Sequence, residues 1–310
     1  MECLVEDGLS VSNLVGLGSD GASAMVGHHK SVATLMQQAQ LGIVLFRCTC
    51  HSLHLAASKA LVIMPTAVEF LIRESHKWFS TSPKRSLAYK ELYQVMEGKM
   101  PKEIPGHSET RWLAYLEAIV TILDQCDDLK LHFQLAASTE HCYTAQQLCD
   151  MFSDVCNKLY LLCMRKVLTE VNKVFQAANA DVTKLTGDLL QLYACLMQLV
   201  VILSILEKVP ANSLDSFAFR ENLMPVSCVH FGFEFENACG TASLPTDQLL
   251  SIRERCRNFV VELADQVQMH LPSNIETLLL LERLKPSAAT SLPIPSLASL
   301  TGRFRHLIDR

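Results

Sequence analysis

The sequence lacks an excess of positive charge. Its 310 residues carry 27 Lys and Arg against 32 Asp and Glu, which gives a net charge of −5. Strong nonspecific attraction to nucleic acid needs the opposite balance, so any such binding must depend on a local patch. With 49% apolar and 19% charged residues, the composition excludes a disordered chain and indicates a folded protein with one large core or two smaller ones.

A secretory leader and a disulfide framework are missing as well. The opening residues do not form a signal peptide, and the twelve cysteines show no framework of paired spacings. We therefore expect a reducing compartment. Cys142, Cys149, Cys156 and Cys163 recur every seven residues, which predicts a buried stripe on one helix face and disfavours a metal or redox site.

The uncharged run at residues 189–206 is the one segment that needs a membrane test. Its eighteen residues are close to the lower length for a spanning helix. Gln191, Gln198 and Ser204 interrupt it, and no cluster of Lys or Arg on one side orients it. We expect a helix buried in a bundle and no membrane partner, with a spanning helix as the alternative.

What the sequence does contain is an α/β pattern near its start. An apolar run over 14–19 ends at Asp20, and a second apolar run covers 43–46. A helical stretch near 30–40 separates them, so the order predicts two parallel strands joined by a crossover helix. Because ligands and metals collect at the carboxyl edge of such sheets, Asp20 is a candidate site residue. The alternative is that Asp20 and Gly21 form only a turn.

The pattern after His51 is helical throughout. Pro65 is expected to kink or break a helix over 52–79, and Ser82 to cap the next helix with Pro83 at its first position. Apolar spacing predicts a one-sided helix over 111–126. Two capping boxes follow: Thr144–Gln147, with Tyr143 and Leu148 as a hydrophobic staple, opening a helix to about 178, and Ser273–Glu276, opening a helix that stops by Pro286.

A cluster of possible metal ligands follows the second apolar run. Cys48, Cys50, His51 and His54 lie within seven residues. Structural zinc sites usually add a second ligand pair a dozen or more residues away, and no compact pair stands at that spacing here. We therefore favour Cys48 and His51 as the floor of a site beside Asp20, with zinc as the alternative.

Arg111 and Trp112 form a second candidate site at the start of a helix. A planar cation next to an indole can hold a phosphate and stack on an unpaired base. Lys84 and Arg85 are expected to contribute to the same basic and aromatic patch. The alternative is a helix start whose Trp packs into the core.

Four segments, taken in order, resemble the core of hAT-superfamily transposases and of the vertebrate proteins domesticated from them. They are SDGASAMVG, CTCHSLHLAASKA, FSTSPKR and ETRWLAYLEAI, within about residues 13–125. A looser similarity continues through RCRNFVVELADQVQMHLPSNIETLLLLERLKP. Four motifs in this order are far more specific than any one of them.

The resemblance implies an α/β plus α fold, a partial RNase-H-like sheet with a large all-helical insertion domain. It divides the chain into a partial transposase core (1–126), a helical insertion domain (127–286), and a linker with the start of a C-terminal segment (287–310).

The resemblance also assigns roles to the candidate site residues. Asp20 matches the second acid of the family's DDE triad, and Cys48 with His51 matches the Cys-x-x-His signature that follows it. Arg111 and Trp112 match the RW motif, whose Trp stabilises a flipped base near the cleavage point. These roles are what membership of the family would imply. The DNA-binding residues expected from it are Arg111, Trp112, Cys48 and His51.

The departures from the family concern its other acids. Residues 1–13 are too short for the opening strand and its hairpin, and Glu6 and Asp7 precede a Gly instead of ending an apolar strand. After Pro286 the only acid is Asp309. Two-metal strand transfer needs several converging carboxylates. We therefore expect a fragment or relic truncated at both ends, without the usual C-terminal dimerisation region or an N-terminal BED-type zinc finger.

The expected function is that of a transposase-derived, catalytically inactive protein in the nucleus, or alternatively in the cytoplasm, that binds DNA weakly or a protein partner, including a second copy of itself. No cofactor is expected, and Asp20 would be a residual Mg²⁺ ligand only if a complete triad were assembled. One alternative is an active transposase subunit that completes its triad with another chain. Another is a helical interaction scaffold without a sheet beneath Asp20.

Overall fold

The computed structural model describes residues 6–27, 29–40, 42–106, 112–178, 185–209, 217–271, 275–281 and 296–304. This part of the chain is mostly helical and holds a two-stranded parallel sheet. In chain order the elements are β1 (Gly16–Ser19), α1 (Ser23–Val26), α2 (Val32–Ala39), β2 (Val44–Arg47), α3 (Thr49–Leu61), α4 (Thr66–Ser80), α5 (Pro83–Glu97), α6 (Trp112–Asp124), α7 (Cys126–Glu140), α8 (Tyr143–Ser153), α9 (Val155–Ala178), α10 (Leu185–Val200), α11 (Leu203–Leu206), α12 (Phe233–Thr241), α13 (Thr246–His270), α14 (Ile275–Leu281) and α15 (Ala298–Arg303).

The chain divides into two compact units. The strand unit comprises 1–55, 173–193 and 267–310, and the bundle unit comprises 56–172 and 194–266. An α-rich fold with a small parallel sheet agrees with the α/β plus α expectation at this coarse level. The RNase-H-like sheet and the domain boundaries at 126 and 286 stay predictions.

The strand pair has the predicted topology. β1 and β2 are parallel, with Gly16 opposite Val44 and Ser19 opposite Arg47, and α1 and α2 lie between them in the chain. The strands are shorter and less buried than the apolar runs suggested, since β1 is only partly buried along its four residues. Gly16 is required for close packing, because a Cβ there would lie 2.7 Å from the ring of Phe46.

Proline and serine define the first helices of the bundle unit as predicted. Pro65 separates α3 from α4, whose axes differ by 115°, so it breaks the helix instead of kinking it. Ser82 caps α5 by accepting a hydrogen bond from the Arg85 amide at 3.4 Å, and Pro83 occupies the first position. The buried face of α4 packs against α5, α6 and α8.

The expected single helix from Thr144 to about 178 is wrong. Asp154 divides it into α8 and α9, because its side chain accepts a hydrogen bond from the Cys156 amide at 2.9 Å and so starts a new helix. The capping box is misplaced too. α8 begins at Tyr143 with Cys142 in the N-cap position, and Tyr143 is 81% exposed, so it forms no staple. The box at Ser273 and the stop at Pro286 lie outside the described residues.

The same break disrupts the predicted cysteine stripe. Cys163 on α9 is fully buried, and Phe152 and Leu159 between the cysteines are buried as well. Cys142, Cys149 and Cys156 are only partly buried, so the stripe is not a continuous core face. A seven-residue period keeps one face only while the helix is unbroken.

The apolar run at 189–206 is likewise two helices. α10 ends at Val200 and α11 begins at Leu203, and the run buries Leu192, Leu196 and Val200. Within the described ranges, no single helix has both the length and the apolar composition to cross a membrane. α3 and α4 meet those criteria only when taken together, across their 115° bend.

Candidate functional site

Asp20 lies directly after the last residue of β1, at the carboxyl end of the parallel pair, as the sequence predicts. Its side chain is exposed, and Oδ1 accepts a hydrogen bond from the Ala22 amide at 3.1 Å. This is the geometry of an Asx turn. Asp20 therefore fits both predictions. It directly follows the end of β1, and its side chain forms the turn after that strand.

The Cys-x-x-His segment meets the same edge of the sheet. The Cys48 amide donates a hydrogen bond to the Ser19 carbonyl at 2.8 Å, which extends the β1–β2 ladder to the residue before Asp20. α3 starts at Thr49 and places His51 in its first turn. A Cβ on Gly21 would lie 3.2 Å from Cδ2 of His51, so the imidazole packs against this glycine. The structure thus brings both motifs together, as expected.

The surroundings of Cys50 at this edge do not activate its thiol. Burial, with a smaller contribution from the neighbouring Cys48, raises the pKa of the Cys50 thiol, which favours the protonated form. Cys48 itself is exposed. Among the described residues, no three or more His, Cys, Asp or Glu side chains are arranged to hold a metal ion. The metal role of Asp20 stays a prediction of the family resemblance.

The Arg-Trp pair is described only in part. Arg111 lies outside the described residues, and Trp112 is the first residue of α6, although its side chain is not among those described. The predicted helix is present, and Leu116 and Ile119 of its predicted apolar face are buried, whereas Val120 of that face is only half-buried. Whether Trp112 stacks on a base or packs in the core stays a prediction.

Arg85, which the sequence places in a basic and aromatic DNA-binding patch, has partners of its own within the bundle unit, and its role in that patch stays a prediction. Its guanidinium carbon lies 3.6 Å from the ring centroid of Trp78, and its Nη2 donates to the Glu140 carboxylate at 2.8 Å. Both contacts lie within the bundle unit, and they neutralise the charge locally. Lys84, one residue earlier, is exposed.

Two features of the bundle unit were not visible in the sequence. One is a cavity of about 150 Å³ walled by His76, Phe79 and Tyr89. The other is Cys142, whose thiol pKa is lowered, chiefly by the backbone N–H of Ala145 and also by nearby Arg85. The FSTSPKR segment contains Phe79, but no local pattern connects it to the distant residues that complete either feature.

Comparisons with models of protein families, with curated proteins and with solved structures give no match to this chain. The hAT resemblance therefore depends on the four motifs and on their order. The geometry at the end of β1 adds a spatial relationship between the first two of these motifs.

Proposed function

We propose that the protein is a transposase-derived, catalytically inactive DNA-binding protein. The observation that carries the proposal is the meeting of two family-like motifs at one sheet edge. The Ser19 carbonyl and the Cys48 amide are hydrogen-bonded, and Gly21 packs on His51. The family resemblance places these two motifs in one site, and their position at the carboxyl ends of the parallel strands agrees with that.

The two alternatives have weaker support. The helical scaffold hypothesis expects no sheet beneath Asp20. Because a parallel strand pair lies there, this observation does not support that hypothesis. An active transposase subunit needs several carboxylates to hold two metal ions, and only Asp20 in this sequence can be matched to the triad. A resident cofactor is not part of the proposal.

The net charge determines what kind of DNA binding to expect. At −5, long-range attraction to a duplex is weak, so affinity must come from a short-range contact such as a base stacked on Trp112 beside Arg111. Stacking needs an exposed base. The proposal therefore includes modest affinity and a preference for single-stranded or distorted DNA. A nuclear location belongs to it only through the family resemblance.

The test is fluorescence anisotropy with labelled single-stranded, mismatched and fully paired DNA. Trp112→Ala is expected to lose about 1 to 3 kcal/mol of binding free energy, and Trp112→Phe much less, because a phenyl ring can still stack. Phe233→Ala is the matched control, since Phe233 is an aromatic residue with 79% exposure. Unchanged affinity in a folded Trp112→Ala protein would show that Trp112 does not stack on a base. If the wild type binds none of these DNAs, the proposal is wrong.

Arg111 is tested separately through salt dependence. Removing one phosphate contact should weaken binding to every DNA and lower the slope of log K against log salt by about 1. Lys99→Ala is the charge-matched control, because the Lys99 side chain is 66% exposed and its ion pair is with the nearby Glu97 at 4.0 Å. Equal slopes for Arg111→Ala, Lys99→Ala and the wild type would exclude Arg111 as a phosphate contact. Melting of each variant must accompany these measurements.

A further inference from the structure

The bundle unit holds a half-open cavity of about 150 Å³ between α4, α5 and the segment at 101–104. Its inner wall is aromatic, formed by His76 and Phe79 from α4 and by Tyr89 from α5. The Phe79 and Tyr89 rings are 5.0 Å apart between centroids and tilted by 32°. The described residues that line the cavity all belong to the bundle unit.

Hydrogen bonds from the helices fix the outer wall of the cavity. Nδ1 of His76 donates to the Ile104 carbonyl at 2.8 Å, since a carbonyl can only accept. The Tyr89 hydroxyl donates to Oε1 of Gln125 at 3.0 Å, and Nε2 of Gln125 donates to the Lys102 carbonyl at 3.1 Å. Ile104 is itself buried. The cavity is therefore preformed, and a ligand would not have to order this segment on binding.

The volume limits the ligand to one ring. An apolar engineered cavity of about 150 Å³ holds benzene, whereas sites for drug-sized ligands begin at about 300 Å³. Aromatic walls favour an aromatic ring, because offset and edge-to-face contacts between rings add to the gain from burial. A branched aliphatic group would fill the same space without that contribution.

The charged residues at the rim of the cavity favour a ligand that carries a negative charge. Nζ of Lys90 donates to Oε1 of Glu103 at 3.1 Å, so these two opposite charges are paired. Lys102 also lines the cavity and has no carboxylate partner among the residues that the structure describes. Among the described residues, Lys102 is thus the lining cation without an ion pair, and Ser86, which also lines the cavity, contributes a hydroxyl. A carboxylate on the ligand would complement both.

We propose that this cavity binds a small monocyclic aryl carboxylate, with its ring against Phe79 and Tyr89 and its carboxylate at Lys102. Phenylacetate is the probe. Saturation-transfer NMR and a chemical-shift titration should give saturable binding with a Kd on the order of 1 mM, as suits a ligand of this size. Phenylethylamine has the same ring with the opposite charge, and acetate has the charge without the ring. Each should bind at least about tenfold more weakly.

Two variants locate the ligand. Ser86→Leu fills the cavity and should abolish binding, whereas Ala88→Leu, on the exposed side of α5, should not change it. Lys102→Glu reverses the rim charge at an exposed position and should weaken phenylacetate binding by about fivefold or more. Lys99→Glu makes the same change of charge outside the cavity and should have little effect. Lys102→Glu keeps the test valid if Ser86→Leu fails to fold.

Three outcomes would overturn the proposal. They are no saturable binding of phenylacetate by the wild type below about 20 mM, equal or tighter binding of phenylethylamine, and binding that survives in the folded Ser86→Leu and Lys102→Glu proteins. Because the DNA-binding test depends on Arg111 and Trp112, either proposal can fail without the other.

Discussion

The indole N–H of Trp78 donates a hydrogen bond to Nε2 of His132 across a distance of 3.1 Å, in the core of the bundle unit. Trp78 is 3% exposed and His132 6% exposed, and the two residues are 54 positions apart in the chain. Nε2 can accept this bond only while it carries no proton. The fold therefore requires a neutral His132 and stabilises that form.

This relationship predicts a loss of stability in mild acid. Burial, together with the nearby Arg85, lowers the pKa of His132 to about 4 from an ordinary value of 6.5, against the opposing influence of Glu140. Above pH 6.5 the ring is neutral in both folded and unfolded states, so the full stability is present. As the pH falls from about 6.5 to 4, His132 binds a proton in the unfolded chain but not in the folded chain. The free energy of unfolding therefore decreases.

The loss attributable to His132 is on the order of 2 to 3 kcal/mol by pH 4. Urea unfolding at several pH values measures it. His132→Gln is the matched variant, because its amide oxygen can accept the Trp78 hydrogen bond but does not titrate. The wild type should lose more stability than this variant between pH 6.5 and 4. Identical pH dependence in the two proteins would contradict the role of His132.

Arg85 also stabilises Trp78, one of the two residues in this hydrogen bond. It stacks on Trp78 and forms a two-nitrogen hydrogen-bonded pair with Glu140, through Nε at 3.2 Å and Nη2 at 2.8 Å. Arg85→Met keeps the aliphatic part of the side chain and removes both contacts, so we expect about 1 to 2 kcal/mol of destabilisation. Lys84→Met, at the exposed neighbouring position, should change the free energy of unfolding by less than about 0.5 kcal/mol. Equal effects would contradict the stacking role.

The features that the sequence predicted correctly are those that local chemistry decides. Apolar runs flanking a helical segment indicated the parallel strands, and the position of Asp20 after the first run placed it at their carboxyl end. Pro65 and Pro83 act through their own rings, so the break and the helix start at these residues follow from the residue type.

The features that it missed depend on contacts between distant segments. The run after Val200 remains apolar, yet α10 ends there because the backbone pairs with another segment, with the Met224 amide donating to the Val200 carbonyl at 2.7 Å. The sequence did not indicate the pairing of Arg85 with Glu140, because the two residues are 55 positions apart. Asp154 is a residue type that favours the N-cap position, but the apolar spacing continues on both sides of it, so the pattern suggested one helix where the fold has two.

The cysteines should differ sharply in reactivity. The backbone N–H groups of Ala145 and Thr144 at the start of α8, with the charge of Arg85, lower the pKa of the Cys142 thiol. Burial and the neighbouring Asp154 raise the pKa of Cys156 to about 11. Because the thiolate is the nucleophile, iodoacetamide should modify Cys142 well before Cys156 at pH 7.

Peptide mass spectrometry over a pH series measures both cysteines in one sample. The rate at Cys142 should reach half its maximum at a lower pH than the rate at Cys156. Cys163 is the internal control for protection, since it is fully buried and its pKa is raised well above the ordinary value by burial and by Cys256. Faster modification of Cys156 than of Cys142 at neutral pH would show that the start of α8 does not activate the thiol.

The last prediction concerns the residual acid. Asp20 is exposed at the end of β1 and its Oδ1 already accepts a hydrogen bond from Ala22, and a single carboxylate cannot hold two metal ions in the geometry that phosphodiester transfer requires. We expect no nicking or strand transfer by this chain in Mg²⁺ or Mn²⁺, and no difference between the wild type and Asp20→Ala. Asp7→Ala is the matched control, because Asp7 is another exposed acid of the strand unit. Cleavage that is lost in Asp20→Ala but retained in Asp7→Ala would refute the inactive interpretation and favour an active subunit that obtains its remaining acids elsewhere.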